Sequence, residues 1–220
     1  MVSLGILVRR KDLISIRRRN GGHSLLFVQA IQSGDLNMSI VDSVIAAVTP
    51  PETEDARLRA TQEAKAVARS GDWLSQILEH HRGIEAQFER LRAAAPADRP
   101  REQKQLGLLL TAHAVAEEAA VYPALAADHQ VGHAELAYQE QSAAKMEMGL
   151  LERLDPASDD YHDKLEHIRG AVLHHVYSEE GTWYIKLARS APAADQQRIT
   201  ERYAEEYARY MGADAQLFSR

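Results

Sequence analysis

The stretch Leu106-Gly-Leu-Leu-Leu-Thr-Ala-His113-Ala-Val-Ala-Glu117-Glu118-Ala-Ala-Val-Tyr122-Pro123-Ala-Leu125 decides how this chain is read. Its apolar residues recur at intervals of three and four, the period of a helix face buried in a bundle. The row runs Leu106, Leu109, His113, Ala116/Glu117, Ala120, so an imidazole and a carboxylate stand where packing asks for hydrocarbon. A carboxylate taken out of water needs a partner, which makes Glu117 harder to explain as packing than His113. Spaced four apart, the two side chains share one helix face and can reach the same ion.

The same anomaly recurs on both sides. Upstream, the buried row is Leu74, Ile77, His81, Ile84, Phe88, Leu91, with Glu85 one turn past His81 and with His80 falling nearer the surface beside Gln76 and Gln87. Near the C-terminus the row is Leu165, Ile168, Val172, His175, Glu179, Trp183, while the adjacent His174 aligns with Lys164, His167 and Ser178. Between them, His133 shares a face with Leu136, although Glu140 and Glu147 blur that stripe. Four helices are predicted, over about 72–95, 100–122, 128–153 and 159–189, with breaks at Ala95–Pro100, Pro123–Asp128 and Asp155-Pro156. Antiparallel neighbours bring residues to one height when they lie equally far from the connecting turn. His81 and His113 reflect about residue 97 and His113 and His133 about 123, both inside predicted breaks, and His133 and His175 about 154, beside Asp155-Pro156. One layer holding His81, His113, Glu117, His133, His175 and Glu179 follows.

The fold class is therefore all-α, an up-down-up-down four-helix bundle with extra helices at both ends. One added helix is expected over Glu54–Ala68, after Pro50-Pro51, with Asp72 capping the next. The other runs over about 193–211, where Tyr203, Tyr207 and Tyr210 at helical spacing dock it onto the bundle or a partner. Tyr122, Tyr138, Tyr177, Trp183 and Tyr184 read as bundle packing. Residues 1–37 carry Arg9, Arg10, Lys11, Arg17, Arg18 and Arg19 against Asp12 and Asp35, unlike the acidic remainder. They read as a basic disordered arm, an Arg-rich targeting peptide or, the reading favoured here, sequence outside the natural product, with translation beginning at Met38. The organisation is then 1–37 leader, 38–71 N-terminal helical extension, 72–190 bundle and 191–220 C-terminal helix.

Composition narrows the chemistry. With 220 residues, 45% of them hydrophobic, the chain can bury one substantial core. The absence of cysteine removes disulfides, thiolate zinc sites, iron–sulfur clusters and cysteine nucleophiles, and fits a reducing cytoplasmic compartment. A net charge of −6 argues against a nucleic-acid surface, and no apolar run is long enough to span a membrane. Imidazole and carboxylate without thiolate suit iron, manganese or zinc. Six candidate ligands exceed the four of structural zinc and favour a dinuclear iron-type centre.

The segments Leu78-Glu79-His80-His81-Arg82-Gly83-Ile84-Glu85, His113–Leu125, His133-Ala-Glu-Leu136 and His174-His175-Val-Tyr-Ser-Glu179-Glu180 resemble the hemerythrin-like family, the helical HHE cation-binding domain. The resemblance spans roughly 72–190. It implies a non-haem di-iron site with an open position for dioxygen, peroxide or nitric oxide. It also implies that His81, His113, His133 and His175 are terminal ligands and that Glu117 and Glu179 bridge. Ala137 stands where oxygen-carrying relatives place a further histidine, so Glu85 or His129 is the candidate for an extra ligand. The expected function is binding or sensing of a small oxidant at iron. The alternatives are a di-iron peroxidase or iron oxidase that detoxifies, and a bundle stapled by metal for protein interaction.

Overall fold

The computed structural model describes residues 52–215. The leader, the Met38 start and the apolar stretch Ser39–Val48 lie outside the described residues. Among those described, every regular element is helical: α1 (Glu54–Val67), α2 (Trp73–Ala93), α3 (Arg99–Ala127), α4 (Val131–Leu151), α5 (Asp159–Ser178), a π-helical turn (Glu179–Trp183), α6 (Tyr184–Ser190) and α7 (Ala193–Ala215). None is long and apolar enough to cross a membrane.

Local chemistry sets several starts. Thr53, Asp72 and Ser158 each accept a hydrogen bond from the backbone N–H three residues on, satisfying a donor that the first helical turn leaves free. Gly71, at φ +82°, makes the turn into Asp72 with a backbone that side chains with a Cβ avoid.

Helix α2 packs on α3, α3 on α4, α4 on α5, and α5 returns to α2. The connectors 94–98, 128–130 and 152–158 reach at most ~25 Å. Helices of about twenty residues are ~30 Å long, so sequential neighbours run antiparallel. Helix α7 lies along α3 and α2, and α1 covers the π turn and α6. Covered by α2, α4 and α7, α3 buries more than one face, which explains the run of buried Ala112, Ala114, Ala116 and Ala120.

Two differences from the sequence expectations matter. First, α3 does not stop before Pro123 but runs through it to Ala127. Proline lacks one N–H and crowds the preceding turn, yet the packing on three sides of α3 carries the helix past it. The chain reverses at His129, whose φ is +61°, with the Gln130 N–H closing onto the Leu125 carbonyl at 2.9 Å. A left-handed backbone normally favours glycine, so His129→Gly is expected to raise stability by about 1 kcal/mol in urea unfolding. A lowered midpoint would show that the imidazole holds the turn instead.

Second, the last bundle helix is not uniform: the π turn inserts one residue before α6. Gly181 lies within it, and a Cβ there would come to 3.4 Å from the Ala60 Cβ, ordinary van der Waals contact with α1.

The apolar interior forms two clusters. One gathers Trp73, Leu74, Ile77, Tyr122, Tyr184, Ile199 and Tyr203; the other gathers Ile84, Phe88, Leu91, Leu106, Leu165 and Ile168. On α2, His81 falls between Leu78 of the first and Ile84 of the second; on α3, His113 falls between Leu106 and Ala116. A polar layer is thus held between two hydrocarbon ones.

Candidate metal centre

Within that layer His81, His113, Glu117 and Glu179 each bring one ligand atom to within 4.8 Å of all the others, and all four are buried. The Nε2 atoms of His81 and His113 stand 3.2 Å apart. His113 Nε2 lies 3.1 Å from Glu117 Oε2, and His81 Nε2 lies 3.4 Å from Glu179 Oε2. His175 joins from α5, with its Nε2 3.1 Å from Glu179 Oε1, so the two oxygens of Glu179 face two different histidines.

All three imidazoles are oriented alike. Each directs Nε2 at a carboxylate of the cluster and gives Nδ1 to an outer partner. His81 Nδ1 meets Glu180 Oε1 at 2.8 Å, His175 Nδ1 meets Glu140 Oε2 at 2.7 Å, and His113 Nδ1 meets the Tyr203 hydroxyl at 3.1 Å. Fixing Nδ1 in this way sets the tautomer that leaves Nε2 free to ligate. Glu180 is itself steadied by the Thr61 hydroxyl of α1.

The carboxylates are bound by tyrosines. The Tyr122 hydroxyl lies 3.1 Å from both Glu117 Oε2 and Glu179 Oε1, and its single hydrogen serves one of them at a time. That of Tyr184 donates to Glu117 Oε1 at 2.6 Å and also reaches Glu179 Oε1. Gln141 Nε2 donates to Glu117 Oε2 at 2.6 Å. Glu179 Oε2, wholly buried, has no hydrogen-bond partner.

The ionisable groups of the layer are strongly coupled. Burial alone would press the His81 imidazole down, but hydrogen bonds and attraction from Glu179 and Glu180 lift it to about 10. Burial opposes ionisation of Glu179, yet His175 and His81 outweigh it and hold this carboxyl below its usual range. Glu117 is pushed up to about 8 by burial and by the Glu179 charge. Burial and the charge of His81 hold His113 well below its usual value, and His80 falls to about 4 for the same two reasons. The His81 ring thus sits between two acids, 3.4 Å from Glu179 Oε2 and 2.8 Å from Glu180 Oε1.

The donor set fits a metal. Ligands about 2.1 Å from one ion lie at most about 4.2 Å apart, so these atoms close on an ion with shifts under about 1 Å. Glu179 Oε2 has no hydrogen-bond partner and faces His81 Nε2 at 3.4 Å. Nitrogen and carboxylate donors without sulfur suit iron, manganese or zinc.

His133 is not in this group. Its ring stacks on Trp183 at 5.2 Å, and its Nδ1 lies 3.2 Å from Gln130 Oε1. The continuation of α3 through Pro123 accounts for this. It moves the reflection point from 123 to about 129, so α4 presents Glu140 and Gln141 at the height expected for His133. Glu85 and His129 are both exposed and offer no further ligand to the buried layer. His174 turns away, pairing with Glu52 Oε2 at 2.9 Å. Gln87, assigned to the surface with His80, is buried and bonds the Glu102 carbonyl.

Sequence reasoning passes over Tyr122 and Tyr184, although a signal for them exists. His113-x3-Glu117-x4-Tyr122 and His175-x3-Glu179-x4-Tyr184 are the same pattern written twice. Glu140 reads in the sequence only as a blemish in an apolar stripe. Glu180 enters because the π turn sets two consecutive glutamates, 0% and 3% exposed, toward the interior together.

Comparison with known proteins agrees with this geometry. The family described as hemerythrin HHE cation binding domain matches residues 73–187, just over half of the chain. A protein named DNA nickase from Nostoc sp. (strain PCC 7120 / SAG 25.82 / UTEX 2576) is 31% identical over 98 residues. That alignment covers 44% of this chain and 27% of the relative, so the chain spans well under two thirds of it. No solved structure matches.

Proposed function

Because the chain belongs to the hemerythrin HHE cation-binding domain family, we propose that its buried layer holds non-haem iron, two ions per chain, and binds or senses dioxygen, peroxide or nitric oxide there. The observation that carries this reading is the convergence of His81, His113, Glu117 and Glu179, with a buried Glu179 oxygen that has no hydrogen-bond partner aimed into the group. His81 and His113 would serve one ion and His175 the other, with Glu117 and Glu179 between them. Iron in such a set supplies a redox-active Lewis acid with room for a small exogenous ligand.

The chain's own part is positioning and exclusion. Glu180, Glu140 and Tyr203 orient the three imidazoles, Tyr122 and Tyr184 orient the carboxylates, and the two apolar clusters keep bulk water away. The His175 side has the fewer protein donors, since His133 is occupied with Trp183, and the small ligand would enter there. We place this activity in the cytoplasm, with neither membrane nor nucleic acid as partner. The overlap with the Nostoc relative covers only 27% of that protein, too little to suggest its named activity for this chain.

The test is optical. Oxygen is added to the anaerobically reduced, iron-loaded chain while its visible spectrum is recorded. A charge-transfer band that reverses on removing oxygen is expected. Bleaching with turnover of added peroxide would favour the detoxifying enzyme instead, and an iron-loaded chain whose spectrum never changes would overturn both readings.

A further inference from the structure

Helix α7 begins after the matched segment 73–187 ends, yet its Tyr203 reaches into the layer. The ring is fully buried. Its hydroxyl lies 3.1 Å from His113 Nδ1 and 2.7 Å from His80 Nδ1, and the His80 ring stacks on Tyr207 of the same helix at 3.6 Å. Two imidazole nitrogens thus share one phenol.

We propose that Tyr203 is a positioning residue for the metal centre, and that with His80 it fixes the tautomer of His113. A phenol has one hydrogen to give, so it donates to one imidazole and accepts from the other. For His113 Nε2 to ligate, its proton must sit on Nδ1, which then donates to the Tyr203 oxygen. The Tyr203 O–H is left to donate to His80 Nδ1, placing the proton of neutral His80 on Nε2. The reverse polarity would put a proton on His113 Nε2 and block it. His80 thus provides the acceptor that keeps Tyr203 turned the right way. His81 and His175 lean instead on carboxylates, Glu180 and Glu140, from within the matched domain. The arm of the site that carries His113 is completed only by the added C-terminal helix.

The proposal rests on reading the layer as a metal site, and its test separates the two. Tyr203→Phe in the full chain keeps the buried ring and removes only the hydroxyl. Ferrous iron affinity, measured anaerobically against a competing chelator, is expected to fall about 10–100-fold, as for loss of an outer partner to a ligating histidine. The metal-free melting midpoint should drop by only about 2–4 °C, the effect of one hydrogen bond. Ring-nitrogen NMR of the metal-free wild type should show the His113 proton on Nδ1 and the His80 proton on Nε2, with the His113 preference lost in the variant. Unchanged affinity and unchanged tautomers would overturn the proposal and leave the metal reading standing. A wild-type chain that takes up no iron would overturn the metal reading and this proposal with it. If Tyr203→Phe does not fold, His80→Leu removes the acceptor instead and should weaken iron binding in the same sense. Unchanged iron affinity in that variant would overturn the proposal.

Discussion

Glu179→Gln is expected to yield a folded chain that no longer retains iron. The two oxygens of Glu179 face His81 and His175 on opposite sides, 3.4 Å and 3.1 Å from their Nε2 atoms. A neutral amide of the same shape would not bridge as a carboxylate does, so both of the proposed ions would lose a donor at once. The loss in affinity is expected to exceed the roughly 100-fold that marks the upper end for an outer partner. The fold survives because His81 and His175 keep Glu180 and Glu140 as partners. Elemental analysis after desalting, with circular dichroism for the fold, reads the result. His175→Ala should lose iron in the same assay, while His174→Ala, whose ring pairs with Glu52, should keep it. Equal losses at 174 and 175 would place the α5 register one residue away from the one described.

Trp73→Ala should destabilise the chain by about 3–5 kcal/mol, several times the effect of losing a single hydrogen bond. Trp73 is fully buried at the start of α2 and meets Tyr184 edge-on at 5.5 Å. Its Nε1–H donates to Gln196 Oε1 at 2.5 Å, and its backbone N–H donates to Thr200 Oγ1 at 3.0 Å. Gln196 in turn bonds the Ala188 carbonyl, so one indole ties α2 to both α6 and α7. Removing it leaves a cavity and frees a polar side chain that had been satisfied. Urea unfolding of the metal-free chain should show a lower midpoint at similar slope. A change below about 1 kcal/mol, the typical net value of one hydrogen bond, would mean that α7 docks without this residue.

Much of the bundle can be read from periodicity. The rows through His81, His113 and His175 each continue an apolar stripe, and the structure buries all three with Glu117 and Glu179. Such rows are legible because one helix face either meets the core or does not. Heights between helices are less so, since they depend on where each turn falls. Asp155-Pro156 does mark a reversal, but Pro123 lies inside α3, and that displacement brings Glu140 and Gln141 to the layer in place of His133. The π turn that brings Glu180 in beside Glu179 is not marked by an apolar period in the sequence, and Glu180 is met there by Thr61 of α1. Tyr203 is expected from its spacing to dock α7, and it does pack against the bundle, but nothing local to α7 indicates which imidazoles its hydroxyl meets.

The central claim is that imidazoles and acids meeting between two apolar clusters grip metal. Iron content of the folded, full-length wild type, measured after exposure to ferrous iron and removal of excess, tests it most directly. The account predicts about two iron ions per chain, as in carboxylate-bridged bundle sites. A chain that is folded by circular dichroism and holds no iron would contradict it.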